Sequence, residues 1–252
     1  MAWTRRQFLT RVPLALGGVA AVDAFGVEPD WLDVTRLDYS RVGAGKTIVH
    51  LTDLHYRGDR SWLESILQTT HDQKPDYVFF TGDLVDGKDK RFLPEALGIL
   101  KTIGLPLYGV LGNHDPADSH SQELFQNAAA ATGGMWLFNQ SIDLGTVLLD
   151  GTWGPHGMAA TSTKPRILLS HYPMAAERSH AAPYDLVLAG HSHGGQCRIP
   201  GIPPLYLPDF VGPYVAGHFD TAGGPLYVSR GLGTTGLPVR FACRPELAVI
   251  RI

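Results

Sequence analysis

The sequence predicts an α/β fold in which two sheets pack face to face with helices outside. Three observations predict it. Short apolar runs rich in Val, Ile, Leu, Phe and Tyr recur from Lys46 onward, and they are continuous rather than alternating, as strands buried on both faces require. Helical candidates separate the first three runs, which implies right-handed βαβ units and a largely parallel first half. The second half carries further strand-like runs with few helices between them.

Near its start the chain carries TRRQFLTRVPLALGGVAAVDAFG, residues 4–26, with Arg5, Arg6 and Arg11 ahead of an apolar stretch from Val12 to Val22. Eleven apolar residues are too few to span a bilayer as a helix but suit the apolar core of an export signal. Thr4 to Leu9 resembles the twin-arginine export signal. That resemblance implies the twin-arginine machinery as a partner and a periplasmic or outer-face location. A cleavage point near Ala24 is weakly marked, and an uncleaved leader would associate the protein with the membrane. The expected organisation is a leader over residues 1–30 and one folded domain over 46–252.

Within that domain each apolar run ends in Asp, His, Asn and Gly. KTIVHLTDLH ends at Asp53 and His55, and a helix is expected over Ser61–His71. DYVFFTGD ends at Asp83, followed by a helix over Arg91–Ile103. PLYGVLGNHD ends at Asn113 and His114, followed by a helix over Ser119–Ala131. Met135–Trp153 reads as strand. RILLSHYP ends at His171, and DLVLAGHSHGG ends at His191 and His193. Leu226–Arg230 and Glu246–Ile252 complete the strands. Ile199–Tyr214 mixes prolines with large apolar residues and is expected to be irregular.

Composition narrows the function. The chain has 252 residues, 44% of them hydrophobic, which suits one large domain with a sizeable core. Lys plus Arg is 21 against 24 for Asp plus Glu, with no basic stripe, so no nucleic-acid partner is expected. Cys197 and Cys243 lie outside any CxxC spacing, which argues against a zinc–thiolate site. They either pair or stand as free thiols.

Parallel α/β sheets bind ligands at the carboxyl ends of their strands. Five strand ends here carry ligand-type residues. Asp53 and His55, two apart, leave on the same face. Gly82 lets the backbone bring Asp83 into a crowded site. Asn113 adds an amide oxygen, and His171, His191 and His193 add imidazoles. These seven oxygen and nitrogen donors, with no thiolate, suit two divalent ions: Mn, Fe, Zn, Co or Mg. A carboxylate bridging two ions would hold them about 3.5–4 Å apart.

The motifs DLH, GD, GNHD, H and GHSH, in that order over roughly residues 46–250, resemble the calcineurin-like metallophosphoesterases. The resemblance implies a four-layer α-β-β-α sandwich of two mixed sheets. It implies that Asp53, His55 and His193 bind one metal, that Asn113, His171 and His191 bind the other, and that Asp83 bridges. It also implies phosphate-ester hydrolysis by a metal-bridging hydroxide, with His114 as the catalytic residue that stabilises phosphorus or protonates the leaving oxygen. GHSHGGQ, the proline-rich segment and VSRGLGTTGLPVRFACRPEL resemble the exported branch of YkuE- and YaeI-like phosphodiesterases. A phosphodiester is therefore the expected substrate. Alternatives are a UDP-2,3-diacylglucosamine-type lipid pyrophosphatase and a metal-binding scaffold without activity. Ile199–Tyr214, starting six residues after His193, is either a loop on the domain's own core or an apolar rim for a lipid-linked substrate.

One position departs from a related group. Purple acid phosphatases carry a tyrosine three residues after the bridging aspartate, where this chain has Asp86, so a tyrosinate–iron site is not expected. Among other candidates, His50 is expected in the core, and His71, His120, His156, His180 and His218 in loops or on the surface. Asp115 is expected to order the GNHD turn. Arg230 suits either a phosphate or a carboxylate partner.

Overall fold

A computed structural model describes residues 5–158, 162–177, 182–199, 201–204 and 206–252, without the side chains of 5–10, 12 and 16. His180 and Leu205 lie outside the described residues, and so do the side chains of Arg5 and Arg6.

Two six-stranded mixed sheets face each other among the described residues. The first contains β1 (Asp33–Asp38), β2 (Thr47–Leu51), β3 (Tyr77–Phe80), β4 (Leu107–Gly109), β5 (Met135–Trp136) and β12 (Glu246–Arg251), in the order β1-β12-β2-β3-β4-β5. β2 to β5 run parallel, and β12 is antiparallel to β2. The second sheet contains β6 (Gln140–Asp143), β7 (Leu148–Thr152), β8 (Arg166–Ser170), β9 (Leu186–Ala189), β10 (Gly217–Thr221) and β11 (Gly224–Val228), in the order β10-β11-β9-β8-β7-β6. Its centre, β7-β8-β9-β11, is parallel, with antiparallel strands at both edges. Residues 135–153, read as strand, supply three strands, and the chain changes sheet between Trp136 and Gln140.

The continuous apolar runs follow from burial on two sides. In β2, Val49 and Leu51 face the helices, while Ile48 faces the second sheet beside Phe79, Ile167 and Leu188. Helix α2 (Arg60–Asp72) turns Leu63, Ile66, Leu67 and Thr70 inward, a spacing of three and four residues that makes one apolar stripe. The Asp59 side chain caps it by accepting a bond from Trp62 N, and Asp118 does the same for Ser121 N at α4 (Ser119–Ala130). Helix α3 is shorter than the spacing predicts, Leu93–Leu100, because the chain tightens into 3-10 turns on both sides of it.

The helices are shared unevenly. α2, α3 and α4 all cover the first sheet. Among the described residues the outer face of the second sheet carries no α-helix. The 3-10 turn Pro173–Ala176 covers it together with Tyr184 and Tyr214. The fourth layer of the expected sandwich is therefore thin.

The fold also reaches further toward the N-terminus than residue 46. β1 pairs in parallel with β12 at the sheet edge. Its sequence, DVTRLD, is half exposed and polar, as an edge strand can be, and so lacks the apolar signature of the inner strands. The buried Glu28 carboxylate holds the backbone N–H groups of Ala242 and Cys243. Helix α1 (Arg5–Gly26) ends where the Ala24 carbonyl accepts a bond from Arg240 N at 3.0 Å. It leaves Leu14, Val19, Val22 and Phe25 exposed. No helix among the described residues is long and apolar enough to cross a membrane.

Candidate metal centre

The carboxyl ends of β2, β3 and β4 from one sheet, and of β8 and β9 from the other, converge on one edge of the sandwich. The loop after β2 runs alongside the loop after β3: Asp53 N donates to Gly82 O at 2.9 Å, and His55 N to Asp83 O at 3.0 Å. Asp53, His55, Asp83, His191 and His193 all have φ between +45° and +68°, a region that side-chain-bearing residues avoid. Each costs on the order of 1 kcal/mol or more, so the surrounding fold has to impose it.

Asp115 imposes much of it. Its buried carboxylate accepts bonds from Asp83 N (2.8 Å), Leu84 N (2.9 Å), Val85 N (3.2 Å) and Gly112 N (2.9 Å). It thereby ties the GD turn to the GNHD turn. Gly82 and Gly112 allow the two turns to touch: a Cβ on Gly82 would lie 2.4 Å from Gly112 N, and one on Gly112 would lie 2.0 Å from Asp83 Oδ1.

Six of the seven sequence-derived donors come together in two groups, and Asn113 lies against the second. Asp53, His55, Asp83 and His193 form one, and Asp83, His171 and His191 the other, with ligand atoms within 4.8 Å of one another in each. Asp83 belongs to both: its Oδ2 lies 3.4 Å from His55 Nε2 and 3.3 Å from His171 Nε2. His193 Nε2 lies 3.5 Å from Asp53 Oδ1 and 3.1 Å from His55 Nε2. Asn113 Oδ1 lies 2.9 Å from His171 Nε2, which is 3.0 Å from His191 Nδ1.

The rings are aimed from behind. His171 Nδ1 sits 2.8 Å from the Thr81 carbonyl, and His191 Nε2 sits 2.7 Å from the Asp209 carbonyl. On His191 a proton at Nε2 leaves Nδ1 as a lone pair facing the cluster, and on His171 the Nδ1 bond turns Nε2 toward it. Tyr172 stacks edge-on against His191, and Phe210 against Tyr172, with centroids 4.8 and 5.6 Å apart.

The charge balance calls for cations. Burial holds His55 and His191 down to about 4 and His193 well below its ordinary value, so all three offer lone pairs at neutral pH. Burial pushes Asp53 up to about 6, with the negative charge of Asp83 adding to it. His171 goes the other way. Burial would lower it, but Asp83 beside it brings it to about 9, so a proton there balances carboxylates that a metal ion would otherwise balance. Buried carboxylates, imidazoles and an amide oxygen, with no thiolate ligand, fit divalent metal ions, which would take the place of the His171 proton.

His114 lies beside the first group, its ring edge-on to His55 with centroids 4.9 Å apart. Its N–H donates to Asp83 Oδ1 at 2.8 Å, and its Nδ1 lies 2.5 Å from Asp86 Oδ1. Asp86 also accepts a bond from Arg57 at 3.1 Å. Burial would raise Asp86, but the Arg57 and His114 bonds hold it below the usual carboxylate range. Sequence reasoning used Asp86 only to set aside a tyrosinate ligand. Its place three residues after Asp83, in the same strand-end loop, was the available signal for a functional role.

The remaining candidates are absorbed by the fold. His50 is fully buried with Nε2 2.7 Å from Thr81 Oγ1. Arg230 pairs with Asp33 at 2.8 Å and Glu246 at 3.3 Å. Cys197 and Cys243 are free, the latter with Sγ 3.3 Å from the His193 carbonyl.

Residues 46–195 match the calcineurin-like phosphoesterase family. The chain is 30% identical to the uncharacterized metallophosphoesterase YkuE of Bacillus subtilis, over 99% of this chain and 97% of that one. It is 29% identical to the phosphodiesterase YaeI of Escherichia coli, over 99% of each. Among solved structures, TT1561 of Thermus thermophilus superposes with a TM-score of 0.50 and 16% identity, over 74% of this chain and 90% of that one, a likeness of fold.

Proposed function

Because this chain belongs to the calcineurin-like phosphoesterase family and is a metal-dependent phosphoesterase, we propose that it hydrolyses phosphodiesters at a centre of two divalent ions. Asp53, His55 and His193 would hold one ion, Asn113, His171 and His191 would hold the other, and Asp83 would serve both. Ions held there would neutralise phosphoryl oxygens and acidify water at neutral pH.

The observation that carries this reading is the His114–Asp86 pair. The Asp86 carboxylate accepts a hydrogen bond from Nδ1–H and so fixes the tautomer, which leaves Nε2 as the free ring nitrogen. From beside the first donor group that nitrogen can hold a proton for an oxygen leaving phosphorus. Asp83 Oδ1 holds the His114 backbone, so the residue proposed to handle the proton is tied to the residue shared by both groups. The site lies in a cavity whose described lining has no Lys or Arg. A phosphodiester carries one negative charge and a monoester close to two, so the lining suits the diester. The protein named phosphodiesterase, YaeI, is similar over the whole chain.

Hydrolysis of bis-p-nitrophenyl phosphate and of p-nitrophenyl phosphate, with Mn2+ and with EDTA, tests it. Metal-dependent turnover with kcat/KM higher on the diester is expected. A preference for the monoester would overturn the diester assignment.

We also propose export by the twin-arginine route with the apolar helix held at a membrane surface. Arg5 and Arg6 ahead of Val12–Val22, and the exposure of Leu14, Val19 and Val22, support it. Replacing both arginines by lysine should leave the protein in the cytoplasm. Unchanged export on cell fractionation would refute this.

A further inference from the structure

The metal centre occupies one end of a cavity of about 550 Å3. The other end is built differently. Tyr206 and Pro208 come from the proline-rich segment, and Leu237 and Val239 from the loop before β12. Tyr206 is 74% exposed and Leu237 65% exposed, so large apolar side chains stand in water at the mouth of a catalytic cavity. Exposed apolar side chains gathered around one cavity mark a binding surface.

Both walls are referenced to the centre through the backbone. The Asp209 carbonyl accepts from His191 Nε2, which fixes the segment holding Tyr206 and Pro208. Gln196, three residues after His193, accepts from Thr235 N at 2.9 Å and donates to the carbonyls of Thr235 (3.0 Å) and Leu237 (3.2 Å). Those bonds have a second consequence. The Gln196 amide is satisfied within the protein, and Ser192 Oγ is engaged with the Val215 carbonyl. Two of the polar side chains in the lining, Ser192 and Gln196, are thus engaged within the protein, and the described lining has no Lys or Arg for a second phosphate. A substituent that extends from phosphorus into this end meets hydrocarbon and an aromatic ring.

We propose that Tyr206, Pro208, Leu237 and Val239 form a subsite for an apolar substituent, so that the substrate is an amphiphile, a phosphoester bearing an alkyl or acyl chain. This rests on the reading of the metal end as the phosphoester site. Full burial of a methylene tightens binding about fourfold, and partial burial in an open cavity about twofold. Six extra methylenes should therefore give at least about tenfold.

The test separates binding from turnover. Butylphosphonate and decylphosphonate, which are not hydrolysed, are titrated calorimetrically into the Mn2+-loaded full chain, with the decyl probe below its micelle concentration. Tighter binding of the decyl probe by at least about tenfold is expected, with that ratio falling toward one in Leu237→Asp and in Tyr206→Asp. Equal binding of the two probes, or a ratio unchanged in both variants, overturns the subsite. In parallel, kcat/KM is measured on p-nitrophenyl butyl and p-nitrophenyl decyl phosphate. A chain-length effect on binding without any hydrolysis would defeat the phosphodiesterase reading and leave the subsite standing. Hydrolysis with no chain-length effect on binding or rate would do the reverse. Binding of the decyl probe dispersed in phosphatidylcholine vesicles assigns the subsite to a bilayer lipid, and binding only in solution assigns it to a soluble amphiphile. Binding in neither form rejects it.

Discussion

His114 Nδ1 lies 2.5 Å from Asp86 Oδ1, so the histidine placed to handle a proton is oriented by a carboxylate outside both donor groups that share Asp83. His114→Ala should keep its metal and lose about 10²–10⁴-fold in kcat, the usual worth of a positioned acid or base. Asp86→Asn should lose less, about 10–100-fold, because the ring remains but its tautomer and aim are no longer fixed. Elemental analysis beside steady-state kinetics checks both. Because Asp86 Oδ2 also lies 4.0 Å from His55 Nδ1, loss of metal in Asp86→Asn would move its role from His114 to His55.

Asp83 is common to both donor groups, whereas Asp53 belongs to one. Asp83→Asn should lower the content of both ions and abolish activity, and Asp53→Asn should lower the content of one. Metal that binds the folded state also stabilises it by mass action. EDTA should therefore lower Tm in the wild type and leave Asp83→Asn almost unchanged. Equal metal content in wild type and Asp83→Asn would remove the shared role.

Gly82 has φ +95°, and a methyl group there would lie 2.4 Å from the Gly112 backbone nitrogen and 2.9 Å from His171 Nδ1. Backbone cannot give way as a flexible side chain can. Gly82→Ala should destabilise the fold by about 2 kcal/mol or more and weaken metal binding, since the turn that aims Asp83 has to shift. Thermal melts with and without Mn2+ measure both effects. A variant that melts like the wild type in both conditions would mean that the turn accommodates a side chain.

The donor residues were legible because a buried parallel strand has few reasons to end in His or Asp, and five runs here end that way. What lay outside the sequence signal was long-range or backbone in nature. Asp209 touches His191 through a carbonyl, which no residue type announces. Arg230 suited phosphate and carboxylate equally until β1 brought Asp33 beside it from 197 positions away. β1 itself was hidden because an edge strand needs no apolar face. Met135–Trp153 was legible as strand but not as a crossing between sheets, since periodicity says which side chains are buried and not which partner buries them.

His50 supplies a test of the core between the two sheets. Its ring is fully buried between the sheets, with Nε2 on Thr81 Oγ1 and Nδ1 without a hydrogen-bond partner. Burial pulls it down to about 4, and the negative charge of Glu246 offsets this only in part. In the unfolded chain it titrates near 6.5. Between those values the unfolded state binds a proton that the folded state refuses, so stability rises with pH there and falls as pH drops from 6.5 toward 4. The full gap is worth on the order of 3 kcal/mol. Other buried histidines add their own acid sensitivity, so the informative quantity is the difference from His50→Gln, which keeps a polar partner for Thr81 and has no proton to gain. Wild-type Tm should fall more steeply than that of His50→Gln between pH 6.5 and 4.5, with the curves converging in slope above pH 7. At about 2–4 °C per kcal/mol for a chain of this size, the divergence should reach several degrees. Parallel curves over the whole range would mean that His50 is protonated as easily in the folded protein as outside it, and that the space between the sheets is wetter there than the packing shows.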